Sequence, residues 1–172
     1  MKFDGKKYFT VACIATLVIF LDQVTKYYIC KLVPLYSRIE VLKGCLDIIH
    51  IRNSGIAFGL LKGFGSQYKT PALFLVGAVA LFLLLFLVSQ IKKEHALQRF
   101  SLSLILGGAI GNLIDRVRMG EVVDFIDAHW NNVYHWPAFN FADAGISVGI
   151  MLMLFDEIFR KREKINIQRE GQ

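Results

Sequence analysis

From Pro71 to Ile91 the chain carries no ionisable side chain, and about 20 apolar residues in a helix are enough to cross the hydrocarbon core of a bilayer. In lipid the backbone amides can bond only to one another, so spanning segments must be helices or closed barrels. Three further stretches are apolar enough to join this one: about Tyr8 to Ile29, Phe100 to about Ile114, and about Phe141 to Phe159. Each of them has polar residues near one end. The composition agrees, with 55% hydrophobic and 20% charged residues and a mean hydropathy of +0.47, where a soluble domain carries nearer ~25% charge. Disorder, a collagen-like chain and a disulfide scaffold are excluded. Cys13, Cys30 and Cys45 are too few and too unevenly spaced for a disulfide framework or a zinc cluster. With 172 residues the chain reads as one integral membrane domain over residues 1–172.

The basic residues give the spans a sidedness. Lys2, Lys6 and Lys7 precede the first span. Lys92, Lys93 and Arg99 lie between the second and third, and Arg160, Lys161, Arg162, Lys164 and Arg169 follow the fourth. The positive-inside bias therefore places both termini in the cytoplasm. Lysines followed by an apolar run mimic a cleavable signal peptide, and Val11-Ala12-Cys13 resembles a lipoprotein cleavage box. Too few apolar residues precede Cys13 for an h-region, however, so the segment is expected to remain as an anchor.

Two outer loops are expected, about residues 30–70 and 115–140, and the first is too long to be a mere link. The first contains the β-favouring runs Arg38-Ile39-Glu40-Val41-Leu42 and Leu46-Asp47-Ile48-Ile49-His50-Ile51, with glycine turns at Gly44 and at Gly63 to Gly65. A small extracytoplasmic sheet is expected there. The second mixes Val122, Val123, Phe125, Ile126, Trp130 and Trp136 with acids, a composition suited to the membrane interface.

Acids inside spanning segments are costly, about 2.5–3.5 kcal/mol at mid-bilayer, and default to functional candidates. At about 1.5 Å per helical residue, Asp22 and Asp115 lie roughly 22 Å, and Asp143 roughly 25 Å, from the inner ends of their spans. In a core about 30 Å thick, all three reach the same outer third. Asn53, Asn112, Arg116 and Asn140 are expected around them as further polar groups, and Asp124 follows span three closely enough to fold back over the helix ends. A polar pocket under the outer surface is the expectation.

Two carboxylates close together cannot both ionise readily, so they share one proton and can activate water as aspartic proteases do. Asp115 has Arg116 beside it, and Asp22 has Lys26 one turn away, which suits both for structural pairing. Asp124 and Asp143 have mostly apolar sequence neighbours and are the better-suited dyad. Asp143 alone also reads as a helix N-cap, and Gly107 and Gly111 as a close helix crossing. Ser54 has no evident histidine partner. His50, His95, His129 and His135 lack the spacing of a zinc protease.

Five boxes now stand in order: Leu21-Asp22-Gln23-Val24-Thr25-Lys26, Asn53-Ser54-Gly55-Ile56-Ala57-Phe58, Gly111-Asn112-Leu113-Ile114-Asp115-Arg116, Val122-Val123-Asp124-Phe125 and Phe139-Asn140-Phe141-Ala142-Asp143. Together they resemble the bacterial lipoprotein signal peptidase family, signal peptidase II. The resemblance implies an aspartic endopeptidase of the bacterial cytoplasmic (inner) membrane with its active site facing outward. It would cleave prolipoproteins before a diacylglyceryl-modified cysteine. It implies Asp124 and Asp143 as the catalytic pair and Asn53, Asn112, Arg116, Asn140 and Ala142 as residues lining or supporting the site. Asp22 and Lys26 match a polar support pair, with Asp115 beside them. The implied fold is four transmembrane helices, a small extracytoplasmic β-cradle and an interfacial loop helix. No cofactor or metal is implied; membrane lipid and the inhibitor globomycin are expected partners, and the chain is expected to act as a monomer. A proton- or cation-conducting relay through Asp22, Asp115 and Asp143 is the rival reading, but it calls for acids along a path, not at one level. Nucleic-acid binding through the net charge of +6 is weaker, because the basic residues are explained as anchors near anionic lipid.

Overall fold

The computed structural model describes residues 5–54, 66–92 and 95–170. Four helices and four strands follow in the order α1 (Gly5–Leu32), β1 (Arg38–Leu42), β2 (Leu46–Asn53), α2 (Ser66–Gln90), α3 (Ala96–Met119), β3 (Val122–Trp130), β4 (Tyr134–His135) and α4 (Phe141–Glu170). Helix α3 is the centre of the helical part and packs against α1, α2 and α4. Glycines bring these helices together. A Cβ at Gly107 would stand 2.8 Å from the Ala15 carbonyl oxygen of α1, and one at Gly149 would stand 2.7 Å from the Ser101 carbonyl oxygen of α3. A Cβ at Gly108 would collide with the Ala142 carbonyl oxygen. The close crossing expected at Gly107 and Gly111 is therefore present, and it extends to the α3–α4 contact.

Polarity is inverted relative to a soluble protein. Phe82 is 69% exposed on α2 and Phe20 60% on α1, whereas Asp22, Lys26, Asp115 and Asn112 are buried. Broad apolar exposure of this kind marks a surface that faces something other than water. Helices α1, α3 and the Pro71–Gln90 part of α2 are long and apolar enough to cross a membrane. Helix α4 is long enough, but Asp143, Asp156 and Glu157 break its apolar run. Lys7, one of the basic residues expected as anchors near anionic lipid, is buried. Its ammonium donates to the Ser89 and Ile91 carbonyl oxygens, both at 3.0 Å, and so caps the C-terminal end of α2.

Three features depart from expectation. Helix α3 runs to Met119, past the expected end near Ile114, because Asp115 finds partners inside the helix packing; Gly120 then stops it in the left-handed conformation, φ 74. The second outer loop is mostly β-structure. Strand β3 pairs antiparallel with β2, Ile48 opposite Ile126 and Asn53 opposite Val122, giving the order β1-β2-β3-β4. The loop thus completes the sheet that the first loop begins. Among the described residues no short interfacial helix occurs; residues 55–65, with the Gly63–Gly65 turn, lie outside the described residues. The expected first hairpin, turning at Gly44 with φ 73, is present.

Glycine replacements test the crossing. Gly108→Ala is expected to lower stability by about 1–3 kcal/mol through overpacking against backbone. Gly77→Ala, whose Cβ would meet only Leu113 Cδ1 at 3.5 Å, should be neutral or mildly stabilising. Thermal melting in detergent compares them, and equal melting temperatures would remove the close crossing as a determinant.

Candidate active site

Three helices and two strands converge on a single polar cluster. Its centre is the Lys26 ammonium, 2.8 Å from Asp22 Oδ2, 2.8 Å from Asp115 Oδ2 and 3.0 Å from Asn112 Oδ1. All three of its protons are used. Two carboxylates face one cation, and neutral donors serve the remaining acceptors. The Ala142 N–H donates to Asp22 Oδ1 at 2.9 Å, the Val123 N–H to Asp115 Oδ2 at 3.2 Å, and Gln23 Nε2 to Asp115 Oδ1 at 2.9 Å. Asp22 owes its access to Gly111, where a Cβ would stand 2.7 Å from Asp22 Oδ2.

From Lys26 the order passes outward through two amides. An ammonium donates only, so Asn112 must turn its oxygen toward Lys26 and its Nδ2 the other way. That Nδ2 donates to Asp143 Oδ1 at 2.7 Å. Asn140 Nδ2 donates to Asp124 Oδ1 at 2.8 Å and lies 3.2 Å from Asn112 Oδ1. Asn53 Nδ2 donates to the other Asp124 oxygen at 2.9 Å. Asp124 and Asp143 are thus bridged by a pair of asparagines, each with its NH2 turned to a carboxylate.

Local structure explains why these side chains stand here. Asn140 is the N-cap of α4: its Oδ1 accepts from the Asp143 N–H at 2.9 Å, and Asp143 Oδ2 accepts from the Asn140 N–H at 3.3 Å. This is the reciprocal geometry of a capping box. The cap is therefore Asn140, and Asp143 occupies the third helical position, contrary to the reading of Asp143 as cap. Asp124 comes from β3, which carries it over the helix ends.

Burial pushes the Asp124 carboxyl up to about 6 from the ordinary 3.8, the amide hydrogen bond from Asn53 opposes this, and the charge of Asp143 adds to the rise. Asp143 is half-buried and lines a groove of about 370 Å³ with Trp136, Phe139 and Ser147.

The structure brings together Asp22, Lys26, Asn53, Asn112, Asp115, Asp124, Asn140, Ala142 and Asp143. Arg116 departs from expectation. The ion pair of Asp115 is with Lys26, and no Asp115–Arg116 pair occurs among the described residues, since adjacent helical residues do not face each other. Arg116 donates to the Asn112 carbonyl oxygen at 3.3 Å. Gln23 and the backbone N–H groups of Val123 and Ala142 were not singled out from sequence. Gln23 lies inside the first box and was legible there; backbone donors leave no sequence signal. The histidines serve elsewhere: His50 Nδ1 is 2.8 Å from the Val33 carbonyl oxygen, and His129 and His135 pair with Asp47 and Asp127. Among the described residues no cluster fit for a metal occurs.

A membrane-type helical fold around an amide-bridged carboxylate pair, one member buried and one at a groove, defines an integral membrane protein with an enzyme-like site. Residues 14–159 match the family model of signal peptidase (SPase) II, and the chain belongs to that family. It is 46% identical over 141 residues to the lipoprotein signal peptidase of Syntrophotalea carbinolica, covering 82% of this chain and 86% of that protein. It is 44% identical over 144 residues to that of Geobacter sulfurreducens, covering 84% and 88%. A solved bacterial membrane enzyme superposes with a TM-score of 0.79 at 34% identity, over 90% of this chain and 91% of that one.

The raised Asp124 carboxyl makes stability depend on pH. Below about 3.8 Asp124 is protonated whether folded or unfolded. As pH rises through about 6 the unfolded chain releases the proton more readily, so the Asp124 contribution is lost, by roughly 3 kcal/mol at most. Wild-type stability relative to Asp124→Asn should therefore fall between about pH 4 and 6.5 and then level off. Parallel melting-temperature curves for the two proteins would contradict the assignment.

Proposed function

We propose that the chain is an aspartic endopeptidase that removes the signal peptide from prolipoproteins, cleaving before a diacylglyceryl-modified cysteine. Membership of the signal peptidase II family supplies the peptidase class and the lipoprotein substrate. The observation that carries the mechanism is the asparagine bridge between Asp124 and Asp143. It holds two carboxylates in one site with unlike environments, the arrangement that separates an acid from a base. Asp124, raised by burial, holds the shared proton. Asp143, facing the groove, is the base.

In the proposed reaction Asp143 takes a proton from water as the water oxygen bonds to the scissile carbonyl carbon. Asp124 gives its proton to the carbonyl oxygen, forming a neutral tetrahedral diol. On collapse the carbon–nitrogen bond breaks, Asp143 passes its proton to the leaving amine of the lipidated cysteine, and Asp124 recovers a proton from a diol hydroxyl. One water is consumed, and both carboxyls return to their starting states. No cofactor enters. A lipid-anchored cysteine arrives already held at the membrane face, so little further ordering is needed.

The same reading takes α4 as a fourth span, places both termini in the cytoplasm and the site at the outer face of the bacterial inner membrane, and treats residues 1–172 as one domain. It expects a monomer and inhibition by globomycin. Support comes from the basic residues at the inner ends and from the polar cluster at the opposite ends of the helices.

Cleavage of a diacylglyceryl-modified prolipoprotein by the detergent-purified protein tests this reading. Asp124→Asn and Asp143→Asn should each lose about 10²–10⁴-fold in turnover while remaining folded. Asp115→Asn should instead destabilise the fold, by up to about 3–5 kcal/mol, because it breaks a buried pair. Activity surviving in Asp124→Asn would move the dyad elsewhere.

A further inference from the structure

The segment between β4 and α4 forms one wall of the groove that contains Asp143, and its hydrogen bonding is incomplete. The Trp136 N–H donates to the Ala128 carbonyl oxygen at 2.8 Å, and the Phe139 N–H to that of Ile126 at 3.1 Å. The Phe139 carbonyl oxygen accepts from the N–H groups of both Ile126 and Phe125, at 2.9 and 3.1 Å. Between these anchors the segment advances from Trp136 to Phe139 while its partner strand moves only from Ala128 to Ile126. The extra residue is a bulge. Pro137 has no N–H to offer. Ala138 has no hydrogen-bond partner for either its N–H or its carbonyl oxygen among the described residues. Ala138 is half-buried and lines the groove, so its open donor and acceptor are available to a bound chain in exchange for water.

The opposite wall is α4. Asp143, Ala144, Ser147 and Val148 line it, a spacing that puts all four on one helix face. The groove of about 370 Å³ thus has a residue with unpaired backbone groups on one side and a candidate catalytic carboxylate on the other. Trp136, 59% exposed, stands at its rim.

We propose that this groove receives an extended peptide segment of the substrate, which pairs as an added strand with the open N–H and carbonyl oxygen of Ala138 and so presents its scissile bond to Asp143. The proposal rests on the peptidase reading above and specifies how that site holds its chain. Strand addition takes its affinity from main-chain hydrogen bonds, which suits an enzyme that must accept many sequences around one lipidated cysteine. The Pro137–Ala138 bulge explains why the edge is short: it opens the backbone groups of one residue rather than a long row that would attract other strands. Ala138 is on this account a positioning residue acting through its backbone, which is why no side-chain motif marks it.

Two measurements test it on the full chain in detergent. In the first, a diacylglyceryl-modified prolipoprotein peptide carries a benzophenone photo-crosslinker on the residue preceding the lipidated cysteine and is bound to Asp124→Asn. Crosslinks are expected at residues 136–139 and along Ala144 to Val148; crosslinks confined elsewhere overturn the proposal. In the second, Ala138 is replaced by lactic acid, which exchanges its N–H for an ester oxygen. The expected result is a roughly tenfold loss in kcat/KM, taken mainly as a higher KM with kcat held. An unchanged KM overturns the proposal. Crosslinks to 136–139 without hydrolysis by wild type would support the groove and sink the peptidase reading. Hydrolysis with crosslinks elsewhere would do the reverse.

Discussion

A single buried ammonium holds this site together. Lys26 is almost wholly enclosed, and removing a cation from water costs several kcal/mol unless partners replace the hydration. Its partners come from two helices, Asp22 on its own helix and Asp115 and Asn112 on α3. The second carboxylate leaves an excess of negative charge, which the Ala142 N–H offsets from the N-terminal turn of α4, where the helix dipole favours an anion. Three helices are therefore fixed relative to one another by one charge cluster. Breaking any arm of it leaves a buried charge unpaired, which is why these residues hold the fold even though none of them is assigned the chemistry.

The same cluster decides the orientation of groups further out. Because Lys26 has only protons to give, Asn112 has one permitted orientation, and its NH2 faces Asp143. Asn140 is held by its capping bonds to α4 and turns its NH2 to Asp124. The carboxylates are thus pre-positioned by groups whose own freedom has been removed, which is what a preorganised site requires.

Such convergence needs close backbones. Gly107 and Gly111 let α1 approach α3, and Gly108 and Gly149 let α4 do so from the other side. With lipid outside, no hydrophobic difference drives helix against helix, so close packing and buried polar bonds must supply the association. Packing glycines on the same α3 turns that carry Asn112 and Asp115 couples the two sources. The sheet then closes that end of the helices, with β3 bringing both Asp124 and the Val123 N–H into the cluster.

Much of this was legible in the residues. An uninterrupted apolar run, the β-favouring hairpin around Gly44, the acids at a common depth and the pairing of Asp22 with Lys26 all follow from composition and period, because each is a local property of the chain. The mixed segment 122–130 read as interfacial because its aromatics and acids fit a membrane surface as well as a strand. Its β-conformation comes from pairing with β2, a partner about seventy to eighty residues away in the chain. Likewise Asp115 stands next to Arg116 in sequence but binds Lys26 in space, since a helix turns neighbouring side chains to different faces. Local pattern in the chain was enough for three apolar spans, the first hairpin and the set of polar residues. Only the tertiary structure decided which carboxylate meets which cation, which amide faces which acid, and which backbone N–H groups complete the site, because those bonds depend on distances between segments that no local pattern encodes.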